Sequence, residues 1–256
     1  MKEYIKKFAS ASAANDYAIA AIPFATTILG PNSPTDDQNL VCNESGKKLV
    51  NVAGIIEVQT AGPEMVDLGL SSGILWAATN VGAVPGSTKE SYYGNYYAWG
   101  ETETKSDYSW NTYKFGASSP FSKYDTDGKT VLEAVDDVAT ATYGSDYVMP
   151  TITEIQEMVN ETDREWVTNY NGISDLNGYK FMKKSDHSVF IFIPAAGYFN
   201  GSSVDAAGSY GDVWSSSLSL NNHSNTMRFD FVSDNIYISG DCARCFGLNV
   251  RAIQRV

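Results

Sequence analysis

Between Ser185 and Val256 the chain contains no Lys and no Glu, although the first two thirds use both freely. Within that stretch Gly211-Asp-Val-Trp-Ser-Ser-Ser217 comes first, a run rich in Asn, Ser and Asp follows, and Phe246-Gly-Leu-Asn-Val-Arg251 closes. This ordering constrains the last third to two framework flanks around a middle, Asn221 to Leu248, that offers hydrogen-bonding and aromatic groups with few long charged side chains. A surface of that composition suits recognition better than catalysis. The candidate ligand-binding residues are Asn221, Asn222, His223, Asn225, Asp234, Asn235, Tyr237, Asp241, Arg244 and Phe246. Tyr and Arg among them are types enriched at binding hot spots.

The 256 residues suffice for one large or two small domains, and 43% hydrophobic with 12% aromatic content marks a folded chain. Eighteen Lys and Arg against 30 Asp and Glu give a net charge of −12. That balance argues against a nucleic-acid partner, because phosphate-backbone binding needs a clustered positive face. Cys42, Cys242 and Cys245 are too few for a disulfide framework. Cys242-Ala-Arg-Cys245 has the spacing of a redox motif, but it falls between strand signals rather than at a helix N-terminus, where the dipole would lower the thiol pKa. His187 and His223 are the only histidines and neither lies in a nucleophile-elbow or Gly-rich setting, so no Ser-His-Asp machine is expected. Nor is zinc, since only these two and scattered carboxylates are available to complete a site around the cysteines. The expectation is a protein without catalytic residues, cofactor or metal; Asp125 to Asp127 offer oxygen ligands for weak calcium binding at most. The basic start, Met1 to Lys7, is followed by a segment cut at Asn15-Asp16, so no signal peptide is read. No apolar run approaches the roughly 20 residues of a bilayer helix, and no membrane insertion is expected.

A junction around Thr60-Ala-Gly-Pro63 divides the chain into residues 1–62 and 63–256. The first part carries a turn-rich stretch, Gly30 to Asp37, and a hairpin signal around Asn43 to Gly46. With few large side chains it reads as a β-rich arm that orders against a partner surface or its own copies. In the second part, Val66 to Leu70 and Ile74 to Ala78 read as strands, and Tyr92 to Gly100 as a packed aromatic loop. Apolar residues at helical spacing predict a helix from Thr130 to Thr142, stopped by Gly144. Thr151 and Glu154 form a capping box that predicts a second helix. Val189 to Ile193, Met227 to Val232 and Asn249 to Ile253 read as strands.

In sequence order, Val66 to Leu70, Leu75-Trp-Ala77, Asn80 to Ala83, Tyr97-Ala-Trp-Gly-Glu-Thr102, Asp136 to Ala139, Met149-Pro-Thr151, Leu176-Asn-Gly178, Ile193 to Tyr198, Trp214-Ser-Ser216 and Val250-Arg251 resemble the Fibrobacter succinogenes major paralogous domain family. The resemblance spans about residues 65 to 256. It implies an α+β, C-type-lectin-like domain, with two helices flanking a small twisted antiparallel sheet whose N- and C-terminal strands pair. That fold also occurs in formylglycine-generating enzymes, which use a cysteine pair, so Cys242 and Cys245 are the residues of an enzymatic alternative. None of the Glu-Pro-Asn, Gln-Pro-Asp or Trp-Asn-Asp triplets of calcium-dependent sugar binding occurs.

Trp-Ser-Ser, a changeable segment and a closing Val-Arg strand are also similar to the variable proteins of diversity-generating retroelements. An Asn codon randomised at its first two bases reaches every residue type except Lys, Glu, Gln, Met and Trp, and none of those five occurs from Arg228 to Ile253. Together these features lead us to expect a non-enzymatic protein of a Bacteroides-type phage virion. Residues 1–62 would dock on other virion proteins, and the C-terminal face would meet a host surface glycan or protein. A homo-oligomer, a trimer, is expected. The alternatives are a capsid or tail decoration protein without ligand and a bacterial cell-surface binding domain.

Overall fold

The computed structural model describes residues 6–7, 38–41, 47–52, 55–60 and 62–255. The chain divides into two compact units, Met1–Gly62 and Pro63–Val256. In the first, strands β1 (Lys6–Lys7), β2 (Gln38–Val41), β3 (Lys47–Val52) and β4 (Ile55–Thr60) form one antiparallel sheet in the order β1-β4-β3-β2. The β2–β3 pair runs from Gln38 opposite Asn51 to Val41 opposite Lys48, as the hairpin signal anticipates. Cys42 and residues 43–46, on which the hairpin signal falls, lie outside the described residues.

The second unit is α+β, with few helices and several small antiparallel sheets. Strands β5 (Met65–Val66) and β6 (Leu75–Ala77) open it, and the last strand pairs back on β6 with Ile253 opposite Trp76. Helices α1 (Glu90–Tyr93), α2 (Val138–Tyr143) and α3 (Ile152–Glu161) follow. A meander of β7 (Thr162–Val167), β8 (Gly178–Lys183) and β9 (Asp186–Pro194) leads to a short hairpin, β10 (Tyr198–Asn200) and β11 (Ser203–Asp205). A three-stranded sheet, β12 (Gly211–Leu218), β13 (Asn225–Val232) and β14 (Asn235–Ala243), precedes the closing β15 (Ile253–Gln254).

Local chemistry explains where elements begin and end. At α3 the Thr151 hydroxyl accepts from the Glu154 N–H at 3.3 Å, and the Glu154 carboxylate accepts from the Thr151 N–H at 2.7 Å, which satisfies two otherwise orphaned donors. Its inner face buries Ile155, Met158 and Val159. The expected helix from Thr130 to Thr142 is corrected: α2 starts only at Val138. Asp137 caps it by accepting from the Ala139 and Thr140 N–H groups, and its other oxygen accepts from the Met149 N–H at 2.7 Å. Val131 instead bridges Ser217, and Val135 is exposed, so the apolar spacing in front of Asp137 marks no buried helical face. The strand expected over Val66 to Leu70 stops at Val66, because Asp67 accepts from the Gly69 N–H and turns the chain at a positive φ of 71°. At the end of the chain Asn249 to Ala252 are buried, and only Ile253–Gln254 remain as regular strand.

The core is built from large aromatics that tie distant segments together. Trp99 donates to the Ser215 carbonyl at 2.9 Å and Trp214 donates to the Tyr97 carbonyl at 2.7 Å, so the Tyr97-Ala-Trp99 and Trp214-Ser215 segments are bonded reciprocally. Both indoles are fully buried. Tyr93, Tyr97 and Tyr108 are buried too, which makes the aromatic run core rather than an exposed platform. On β12 a Cβ added at Gly211 would fall 1.9 Å from the buried Phe231 ring. Gly211→Ala is therefore expected to cost about 1–3 kcal/mol through overpacking, read as a lower melting temperature in a thermal scan.

Candidate functional site

Most of the segment Asn221 to Leu248 forms a long hairpin of β13 and β14, within which the expected strand Met227 to Val232 lies. Asn225 faces Ala243 at its open end and Val232 faces Asn235 at its turn, with an irregularity between Arg228 and Phe229. Seven residues along β13 separate those ends by about 23 Å. The sequence-derived candidates accordingly fall into two groups. Asn221, Asn222, His223, Asn225, Asp241, Arg244 and Phe246 sit toward the open end, whereas Asp234, Asn235 and Tyr237 sit toward the turn. Asn221, Asn222, Asp234, Asn235, Asp241 and Tyr237 are exposed, the last at 49%. Between them Thr226, Phe229, Asp230, Phe231 and Cys242 are buried, which fixes the hairpin to the rest of the domain.

Arg244 is the main correction to the candidate list. It is fully buried, and all of its nitrogens donate: Nε to the Tyr113 hydroxyl at 3.0 Å, Nη1 to the Tyr124 and His223 carbonyls at 3.2 and 3.0 Å, and Nη2 to the Lys123 carbonyl at 2.9 Å. Its guanidinium lies 4.5 Å from the Phe121 ring centroid and 5.1 Å from that of Trp99. It clamps three segments and presents nothing to a ligand. His223 is half-buried and bonded through Nδ1 to Asp125 at 2.9 Å. The other Asp125 oxygen accepts from the Phe121 N–H and the Ser119 hydroxyl, and Asp127 accepts from the Tyr124 and Lys129 N–H groups. These carboxylates are taken up by their own loop and, for Asp125, by His223 as well.

Asp241 and Phe246 open onto a cleft of about 420 Å³ that no run of sequence advertises. Its walls come from β10 (Tyr198), the turn before β12 (Tyr210), β13 (Arg228) and β14 with the turn after it (Asp241, Ala243, Phe246). The Tyr198 and Phe246 rings are nearly parallel, with centroids 5.9 Å apart, and Tyr210 meets Tyr198 edge-on at 6.0 Å. Behind the rings Arg228 is paired through Nη1 with Asp212, its Nε lies 3.5 Å from Asp230, and the Tyr210 hydroxyl donates to Asp230 at 2.5 Å. Burial pushes the Asp212 carboxyl well above the usual carboxylate range.

The absence of a side chain at Gly240 makes room for this cluster, since a Cβ there would stand 2.7 Å from an Asp230 oxygen. Tyr198, Tyr210 and Arg228 were not among the sequence-derived candidates. Their only signal was aromatic and polar character in a Lys-free region.

Cys242 and Cys245 are both buried and free, and burial raises both thiols, Cys245 to about 11. A thiol so raised is largely protonated near neutral pH and a poor nucleophile. Among the described residues no group of three or more His, Cys, Asp or Glu side chains is disposed to hold a metal ion, and no helix is long and apolar enough to cross a membrane. Comparison of the chain with protein-family models, with curated proteins and with solved structures returned no match.

Proposed function

We propose that residues 63–256 form a non-enzymatic recognition domain of C-type-lectin-like architecture. Carried on a phage virion, the domain would turn the β13–β14 hairpin and the adjoining cleft toward a bacterial host surface, while residues 1–62 dock on other virion proteins. The observation that carries this reading is the division within one hairpin. One set of side chains (Thr226, Phe229, Phe231 and Cys242) is locked into the core, while Asn222, Asn235, Tyr237 and Asp241 stand exposed on the same two strands and their flanking turn. A fixed backbone carrying freely replaceable side chains is what a diversified binding face needs. The pairing of the last strand with β6, near the start of the domain, and the reciprocal bonding of the Tyr97-Ala-Trp99 and Trp214-Ser215 segments support the family resemblance on which the fold assignment rests.

Many copies on one particle raise the effective concentration, so a weak individual site is sufficient. The test compares multimerised full-length chain, wild type and with Asn222→Ala, Asn235→Ala and Tyr237→Ala combined, for attachment to a panel of intact bacterial cells. Loss of attachment with an unchanged melting curve is expected. Equal attachment by both would point to a decoration protein whose hairpin meets no ligand.

A further inference from the structure

The cleft between Tyr198 and β14 is walled by three aromatic rings and rimmed by a carboxylate without a cationic partner. Asp241 is exposed and makes no ion pair among the described residues, whereas Arg228 is held back by Asp212 on one side and Asp230 on the other. Two carboxylates, Asp212 and Asp230, thus flank one guanidinium, and Asp241 adds a third negative group on the wall of the cleft. An anion entering the cleft meets surplus negative charge. A cation meets both that charge and the ring faces, which attract cations through their quadrupoles. The chain as a whole carries −12, so its long-range field also favours a basic partner. Ala243, Tyr198 and Phe246 line the cleft with apolar surface that suits an unbranched alkyl stem leading to a charged tip. A volume of about 420 Å³ accommodates one side chain of that size.

We propose that this cleft takes a lysine side chain from a protein partner, its stem along Tyr198 and Phe246 and its ammonium at Asp241. The proposal rests on the hairpin face being a recognition surface, and names the chemistry that surface selects.

The test uses the full chain and saturation-transfer NMR with three probes: Nα-acetyl-lysine amide, the uncharged Nα-acetyl-norleucine amide, and glucosamine as an amine from a carbohydrate. The lysine derivative is expected to bind about tenfold more tightly than the norleucine derivative, and to weaken as salt is raised. Asp241→Asn is expected to remove about tenfold of that affinity. Asp234→Asn, the same charge change at the far end of the hairpin, should leave it unaltered. Both aspartates are exposed, so both variants should melt like the wild type. Equal binding of the norleucine derivative, equal effects of the two substitutions, or tighter binding of glucosamine than of the lysine derivative would each overturn the proposal. Cell attachment by the multimer without any transfer to the lysine derivative would overturn it too, while leaving the recognition reading in place.

Discussion

Arg244→Ala is expected to lower the stability of the domain by about 3–5 kcal/mol, a large part of the margin of an ordinary domain. The guanidinium satisfies three backbone carbonyls, of Lys123, Tyr124 and His223, together with the Tyr113 hydroxyl, at a site with no access to water. Removing it strands those acceptors and leaves a hole facing the Phe121 and Trp99 rings. In a domain of this size the melting temperature should fall by roughly 10 °C or more in a circular-dichroism scan. Arg244→Lys should rescue little, because a compact ammonium on a flexible stem cannot span four acceptors arranged around a planar fork. An unchanged melting curve for Arg244→Ala would return this residue to the exposed recognition face.

Trp214→Ala is expected to cost a similar amount, about 3–5 kcal/mol. The indole is fully buried and its N–H bonds the Tyr97 carbonyl, so truncation leaves a large void and severs one of the two indole bonds between β12 and the aromatic segment. Trp214→Phe should recover most of the loss, since it keeps much of the apolar volume and forfeits mainly the hydrogen bond. The two proteins compared by thermal melting decide between packing and hydrogen bonding as the larger share.

How far the sequence alone revealed this arrangement depended on the range of the interaction behind each feature. The α3 start was legible because a capping box is written within four residues, Thr151 to Glu154. Trp214 was legible as framework because an indole of that size inside a strand pattern has few places to go except the core. The α2 start was misread: the spacing of Val131 and Val135 mimics a helical stripe, but the bridge to Ser217 and the Asp137 cap decide the backbone there. Arg244 was misplaced for a related reason. Arginines are mostly exposed, and nothing near position 244 discloses that Lys123 and Tyr124, more than a hundred residues earlier, supply its acceptors.

The cleft was the least legible feature. It assembles from β10, the turn before β12, and β13 and β14, so only tertiary packing brings Tyr198, Tyr210, Arg228 and Phe246 together. Two of the candidates taken from the composition of the last third, Asp241 and Phe246, lie on that cleft.

The central claim is that one hairpin carries two classes of side chain, one holding the fold and the other meeting a partner. A scan of alanine substitutions across residues 221–248, with each variant measured for folding by melting temperature and for attachment as a multimer to intact bacterial cells, tests it most directly. The account predicts that Thr226, Phe229, Phe231 and Arg244 lose both properties together, whereas Asn222, Asn235, Tyr237 and Asp241 lose attachment alone. If every loss of attachment coincided with a loss of stability, and the exposed positions changed neither, the hairpin would be framework throughout and the claim would be contradicted.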